Sequence, residues 1–205
     1  MGRNKSYERK EVLQKALDLF WKKGFEGTHL QELVDVTKLN RFSLYKEFGG
    51  KDGLFEQAVE QYLFDLKDTG ACLRSQPLGL NNILEYLRLI VHADFSYGCF
   101  MVNTMTQKNI IQERINKMVD NFVAQSENAI LKNLLAAQNK REIDKGMNVK
   151  ALAKLLVVFD IGLVTFDLLG PTLEDKKGIF QVLKVLLEKS PSPESRQTLS
   201  RAAQA

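Results

Sequence analysis

Three observations predict an all-α fold. Apolar residues recur at three- and four-residue spacings through most of the 205 residues. No segment of useful length alternates apolar and polar residues, so no strand is expected. The four prolines, Pro77, Pro171, Pro191 and Pro193, all fall between helical patterns or in the polar C-terminal stretch.

Each helix has a local reason to form. The first is expected over Tyr7–Lys23, with Leu13, Ala16, Leu17 and Phe20 as its inner stripe and Gly24 as its stop. Thr28 reads as the N-cap of the second, completed by Gln31 as a capping box, with Leu30, Leu33 and Val34 inward. The third runs over Arg41–Phe48 behind the N-cap Asn40, and Leu44 and Phe48 share its inner face. The fourth starts near Lys51 and carries Leu54, Phe55, Ala58, Val59, Tyr62 and Leu63 on one side. Further helical patterns cover Asn81–Phe95, Asn103–Lys108, Ile111–Gln138, Val149–Leu168 and Leu173–Lys189. Val149–Leu168 is apolar nearly all round, so it lies centrally in its domain or is covered by a partner. The Leu173–Lys189 helix has a narrower stripe of Ile179, Phe180, Leu183, Leu186 and Leu187. The expected organisation is an N-terminal three-helix helix-turn-helix domain over 1–50 and a C-terminal helical domain over 51–189. Within the latter, 51–69 forms a connecting helix, and a polar tail follows over 190–205.

Composition narrows the class. Hydrophobic residues at 44% and charged residues at 26% are an ordinary globular balance that supports a core. The net charge of +4 is mildly basic, less than a non-specific nucleic-acid coat requires. The excess lies at the N-terminal end, where residues 1–50 hold ten Lys/Arg against seven Asp/Glu. Two cysteines, Cys72 and Cys99, make no disulfide framework, and no charged segment leads into a secretory apolar run. The most apolar stretch, Leu152–Leu169, is interrupted by Lys154, Asp160 and Asp167, so no membrane span is expected. A cytoplasmic location is the expectation.

The most telling stretch runs from Gly27 to Phe55: two short helices around a tight break, then a Gly-Gly joint and a new helix. A break that short fixes the angle between two helices, so that one can project into a DNA major groove. Helix three presents Asn40, Arg41, Phe42, Ser43, Tyr45, Lys46 and Glu47 outward. Thr28 and Lys51, at the heads of helices two and four, are placed for phosphate, which suits the free N–H groups of a helix N-terminus. Arg reads guanine bidentately, and Phe packs on a thymine methyl. Arg3, Lys5, Arg9 and Lys10 form either a basic arm on DNA or a tail of incidental charge.

The stretches ALDLFWKKGFEGT, LQELVDVT, LNRFSLYKEF and GKDGLF resemble the DNA-binding domain of the tetracycline-repressor (TetR) family. Ser43-Leu44-Tyr45, Phe48, Lys51 and Leu54-Phe55 are the most specific part, and the run GCFMVN from Gly98 resembles a stretch of one branch of that family. The resemblance implies a homodimer on a palindromic double-stranded operator, with the last two helices of each chain forming a four-helix interface. It also implies that the C-terminal domain over 51–189 is a ligand-binding and dimerisation domain, with a small-molecule effector there that changes the spacing of the two heads. Tyr45 would then contact a phosphate, and Arg41, Phe42, Ser43 and Lys46 would approach base edges. Lys38 departs from the family, which usually has Gly in the turn before helix three. A positive φ there strains a Lys, whose ammonium is also placed for a phosphate contact.

The chain shows no catalytic constellation. Its two histidines, His29 and His92, lack metal-ligand spacing, and there is no nucleophile elbow, Gly-rich phosphate loop or zinc pattern. No enzyme activity, cofactor or metal is expected. Phe95, Met101, Met105, Phe122, Phe159 and Phe166 either line an effector pocket or are plain core. Asp160 and Asp167 share a helix face. They either reach solvent at its rim, hold a cationic or hydroxylated ligand, or pair across a dimer. Cys99 is either a buried small hydrophobe or, near Met101, Met105 and His92, a thiol that meets copper or electrophiles. The expected function is a sequence-specific DNA-binding regulator, a repressor released by a small molecule. The alternatives are a metal- or thiol-responsive regulator on the same scaffold, and an all-α interaction protein without specific DNA binding.

Overall fold

The computed structural model describes residues 7–188, and among them only helices, turns and loops occur. Arg3, Lys5 and the tail 190–205 lie outside the described residues. The helices are α1 (Arg9–Lys23), α2 (Leu30–Thr37), α3 (Arg41–Phe48), α4 (Gly50–Leu66), α5 (Leu80–His92), α6 (Phe100–Met105), α7 (Glu113–Asn139), α8 (Val149–Phe166) and α9 (Leu173–Glu188). Short 3-10 turns at Ala71–Arg74 and Asp167–Leu169 precede α5 and follow α8. None of the helices is long and apolar enough to cross a membrane. The chain divides into two compact units, Met1–Asp68 with Tyr97–Phe122, and Thr69–Ser96 with the residues from Val123 onward.

The first unit is built on the predicted stripe of α1. Ala16, Leu17 and Phe20 are buried against α4, where Leu54, Phe55, Ala58 and Val59 are fully enclosed. The core continues through rings: Phe20 meets Phe55 edge-on at 4.8 Å, Phe55 meets Phe100 at 5.8 Å, and Trp21 meets Tyr62 at 5.1 Å. Such edge-to-face pairs add to what burial alone contributes.

The start of α2 differs from expectation. Its N-cap is His29, whose N–H donates to the Glu32 carboxylate at 3.0 Å. The Lys23 ammonium and that N–H hold Glu32 below the usual carboxylate range. Thr28 is instead fully buried, and its hydroxyl donates to Gly24 O at 2.7 Å. It satisfies a carbonyl left free at the end of α1, and its side chain is not open to a phosphate. The turn after α2 does take the left-handed conformation, with Lys38 at φ 60° and ψ 15°. Asn40 then caps α3, accepting the Ser43 N–H at 2.8 Å. At the α3–α4 joint Gly50 has φ 88°, and a Cβ there would lie 2.7 Å from the Tyr45 ring, so a larger residue would be strained and would displace that ring.

The second unit packs α5 on α8 and α9. Ile83, Leu87 and Val91 of α5, Leu156 and Leu163 of α8 and Phe180 of α9 are all buried. Asn133 of α7 is fully buried and satisfied: its amide donates to Leu73 O and Ala129 O, and its carbonyl accepts from Gly79 N and Asn82 Nδ2, all at 2.8–3.1 Å. Neither Asp160 nor Asp167 reaches solvent at a rim. Asp160 accepts from the Tyr86 hydroxyl at 2.7 Å, and Asp167 forms a buried ion pair with Lys176 at 3.0 Å. Both face α5 or the residues just after it, because their seven-residue separation keeps them on one side.

Helices α8 and α9 each carry two apolar faces. Leu156, Val157 and Leu163 of α8, with Phe180 and Leu187 of α9, point into the core. Leu155 and Val158, with Val182 and Leu186, lie on the outside at 57–66% exposure.

Candidate nucleic-acid interface

Eight residues of α3 carry the candidate site, and they owe their orientation to two anchors. Leu44 is fully buried and Phe48 almost so. On a helix this sends the intervening residues outward. Phe42 is 75% exposed and Tyr45 59%, far beyond what large aromatic side chains normally leave in water. Asn40, Arg41 and Lys46 are exposed beside them, Ser43 is half-buried, and Lys38 projects from the preceding turn. Three cations and two aromatic rings therefore share one surface.

The surrounding residues tune that surface. The Arg41 guanidinium donates to Gln31 Oε1 at 3.2 Å, which ties α3 to α2 and orients the arginine. Sequence inspection made Gln31 a cap partner; its orienting role depends on a contact ten residues away, across the turn. Lys51, in the first turn of α4, holds its ammonium 4.3 Å from the Phe25 ring centroid, and burial holds it below the usual lysine range. Arg9 is not an arm residue: it starts α1, lies 4.5 Å from the Phe48 ring centroid and bonds to Gln57. Lys10 is exposed.

Such a surface has the means to read DNA. A helix with an exposed Arg, Lys and Phe on a rigid base matches the donors and apolar contacts that major-groove base edges accept. A phenol and lysines at its margin match phosphate contacts, which position without specifying.

The candidate effector residues divide between the units. Cys99, Met101, Met105 and Phe122 fall in the first, and Phe95, Phe159, Asp160 and Phe166 in the second. Met101 is core, and Cys99 is buried with its sulfur 3.4 Å from the Tyr62 hydroxyl. Met105 and Phe122 are half-buried, as are Phe95, Phe159 and Phe166. Among the described residues no group of three or more His, Cys, Asp or Glu is placed to hold a metal ion.

The model of the bacterial regulatory proteins of the tetR family matches residues 12–58, the span from α1 into α4. The HTH-type transcriptional repressor ComR of Escherichia coli strain K12 is 30% identical over 161 residues, covering 76% of this chain and 77% of that protein. The chain belongs to the TetR family. It is a transcriptional regulator with an N-terminal helix-turn-helix DNA-binding domain. A second relative, the uncharacterized HTH-type transcriptional regulator YezE of Bacillus subtilis strain 168, is 30% identical over 165 residues, 76% of this chain and 84% of that one. The TetR fold extends beyond the head. A cysteine mutant of the TetR family regulator CifR, solved with 26-bp double-strand operator DNA, superposes with a TM-score of 0.75 at 22% identity, over 88% of this chain and 96% of that one.

Proposed function

We propose that this TetR-family regulator is a cytoplasmic repressor that grips a palindromic double-stranded operator as a homodimer and lets go when a small molecule binds. The outward face of α3 carries the proposal. Arg41, Phe42, Ser43 and Lys46 read base edges, while Tyr45, Lys38, Asn40 and Lys51 position the head on phosphates. The exposed apolar residues of α8 and α9 support the dimer, since large exposed apolar faces mark surfaces that a partner covers. A two-fold pair presents two heads, and so calls for two half-sites. The names of relatives agree: one is a repressor, and one structural neighbour was solved on an operator.

For the effector, Asp160 offers a carboxylate oxygen, Oδ1, that is buried and hydrogen-bonded to nothing, with Phe159 and Phe166 on the same helix. A ligand with a cationic or hydroxyl group fits that chemistry.

Selection of bound fragments from random DNA by the purified full chain is the test. A palindromic consensus is expected. Tyr45→Ala and Lys46→Ala should each weaken binding to it about tenfold without unfolding the protein. Binding that depends steeply on salt but shows no preferred sequence would sink the reading.

A further inference from the structure

The turn between α1 and α2 is held by a segment about eighty residues downstream. Within the first unit, Gln107 Oε1 accepts the N–H of Phe25 at 2.8 Å and that of Glu26 at 3.3 Å. The same carboxamide donates through Nε2 to Asn103 O at 3.1 Å, which fixes its orientation. It sits so close to the turn that a Cβ on Gly24, at φ 71°, would lie 2.8 Å from Oε1. One turn earlier in α1, the Trp21 indole donates to the carbonyls of Tyr97 and Gly98 at 3.1 and 3.0 Å. Asn103 Nδ2 closes the loop by donating to Tyr97 O at 2.7 Å.

This grip matters because α2 has few anchors of its own. It is eight residues long, and only Leu33 and Thr37 are buried. Beyond its packing on α1 and α4 and the Lys23–Glu32 ion pair, its direction is set by its two ends: the Lys38 turn on one side, and the Phe25–Glu26 turn on the other. Helix α3 inherits that direction, both through the Lys38 turn and through the Arg41–Gln31 bond.

We propose that Gln107 is a positioning residue for DNA reading, its carboxamide fixing the α1–α2 turn and, through α2, the presentation of α3. The inference rests on the DNA-reading role proposed above. The decisive comparison uses the full chain as wild type, Gln107→Ala and Gln107→Glu, with the fragment that wild type selects from random DNA. Loss of two hydrogen bonds to backbone N–H groups should raise the Kd of the Ala variant about tenfold. Helix content should stay constant, and amide hydrogen exchange at Phe25 and Glu26 should accelerate. A glutamate carboxylate accepts the same two N–H groups but loses the donation to Asn103 O, so Gln107→Glu should recover part of the loss and bind about threefold tighter than the Ala variant at pH 8. A role confined to general stability would not be rescued in this way. Equal affinity of the Ala variant, unchanged exchange at the two amides, or no rescue by Glu would each overturn the proposal. If wild type itself selects no fragment, the DNA-reading role falls together with this one; a wild type that binds and an Ala variant that binds equally well remove this one alone.

Discussion

The Tyr86 hydroxyl donates to Asp160 Oδ2 at 2.7 Å, joining α5 to α8 through a carboxyl group whose second oxygen is buried without a hydrogen-bond partner. Burial pushes this carboxyl up to about 6, and the bond from Tyr86 offsets only part of that rise. In the unfolded chain the same group titrates near 4.

Between about pH 4 and 6 the folded protein holds a proton that the unfolded chain has released. The contribution to stability is complete below pH 4 and is lost as the pH rises through 6. A difference of about two pKa units corresponds to roughly 2–3 kcal/mol. Asp160→Asn keeps an acceptor for Tyr86 and removes the ionisation. It should therefore stabilise the protein by about 2 kcal/mol at pH 8 and have little effect at pH 4. Urea unfolding at both pH values checks this, and an equal effect at both would refute the assignment.

The Asp167–Lys176 pair makes a different prediction, because both members are charged and enclosed. Lys176 also donates to Ala93 O at 3.0 Å, and Asp167 accepts the Phe95 N–H at 3.2 Å. Removing one member leaves the other buried without its counter-charge, which typically costs about 3–5 kcal/mol. Lys176→Met and Asp167→Leu should each destabilise the second unit by about that much. The double variant should recover more than half of the loss, since no charge then remains in the apolar site. A strictly additive double variant in denaturant unfolding would contradict the coupling.

Lys38 holds φ 60° without the freedom of glycine. A left-handed non-glycine residue carries roughly 1–2 kcal/mol of strain. Part of this is returned by the greater freedom glycine gives the unfolded chain. Lys38→Gly should raise stability by about 1 kcal/mol, and Lys38→Val should lower it by more than that, because a branched Cβ fits the left-handed region worst. Thermal midpoints of the three proteins decide the matter. If Val is tolerated as well as Lys, the turn does not need the left-handed conformation.

What was legible in the sequence was local. The bounds of α3 and its Asn40 cap follow from a cap residue, a helical stripe and a Gly-Gly pair, all within a dozen residues. The start of α2 is ambiguous in the sequence because T-x-x-Q and H-x-x-E are offset by only one residue, and the hydrogen bond of Thr28 to Gly24 O is what separates them. Asp160 and Asp167 suggested a solvent rim because their partners were not in view: Tyr86 lies 74 residues away and the Phe95 N–H 72. The grip of Gln107 on Phe25, across 82 residues, left no periodic or compositional trace. The outer stripe of α9 was partly visible as Ile179 and Leu186. Helical spacing alone does not say which of two apolar faces is the covered one.

The Arg41–Gln31 bond predicts how specificity is divided between α2 and α3. In the proposed reading Arg41 makes the base contact, and the bond to Gln31 restricts its guanidinium to one direction across the turn. A bidentate Arg–guanine pair discriminates by about 1–3 kcal/mol, so Arg41→Ala should raise the Kd for the selected site roughly 10- to 100-fold and flatten the preference at one base pair per half-site. Gln31→Ala leaves the arginine present but unrestrained, and should cost about threefold while relaxing the preference at the same base pair. Because Gln31 acts only through Arg41, the double variant should bind like Arg41→Ala alone. Gel-shift titrations against the selected site and its single-base variants measure all three. Full additivity of the two substitutions, or a loss of preference at a different base pair for Gln31→Ala, would show that Gln31 contacts DNA in its own right.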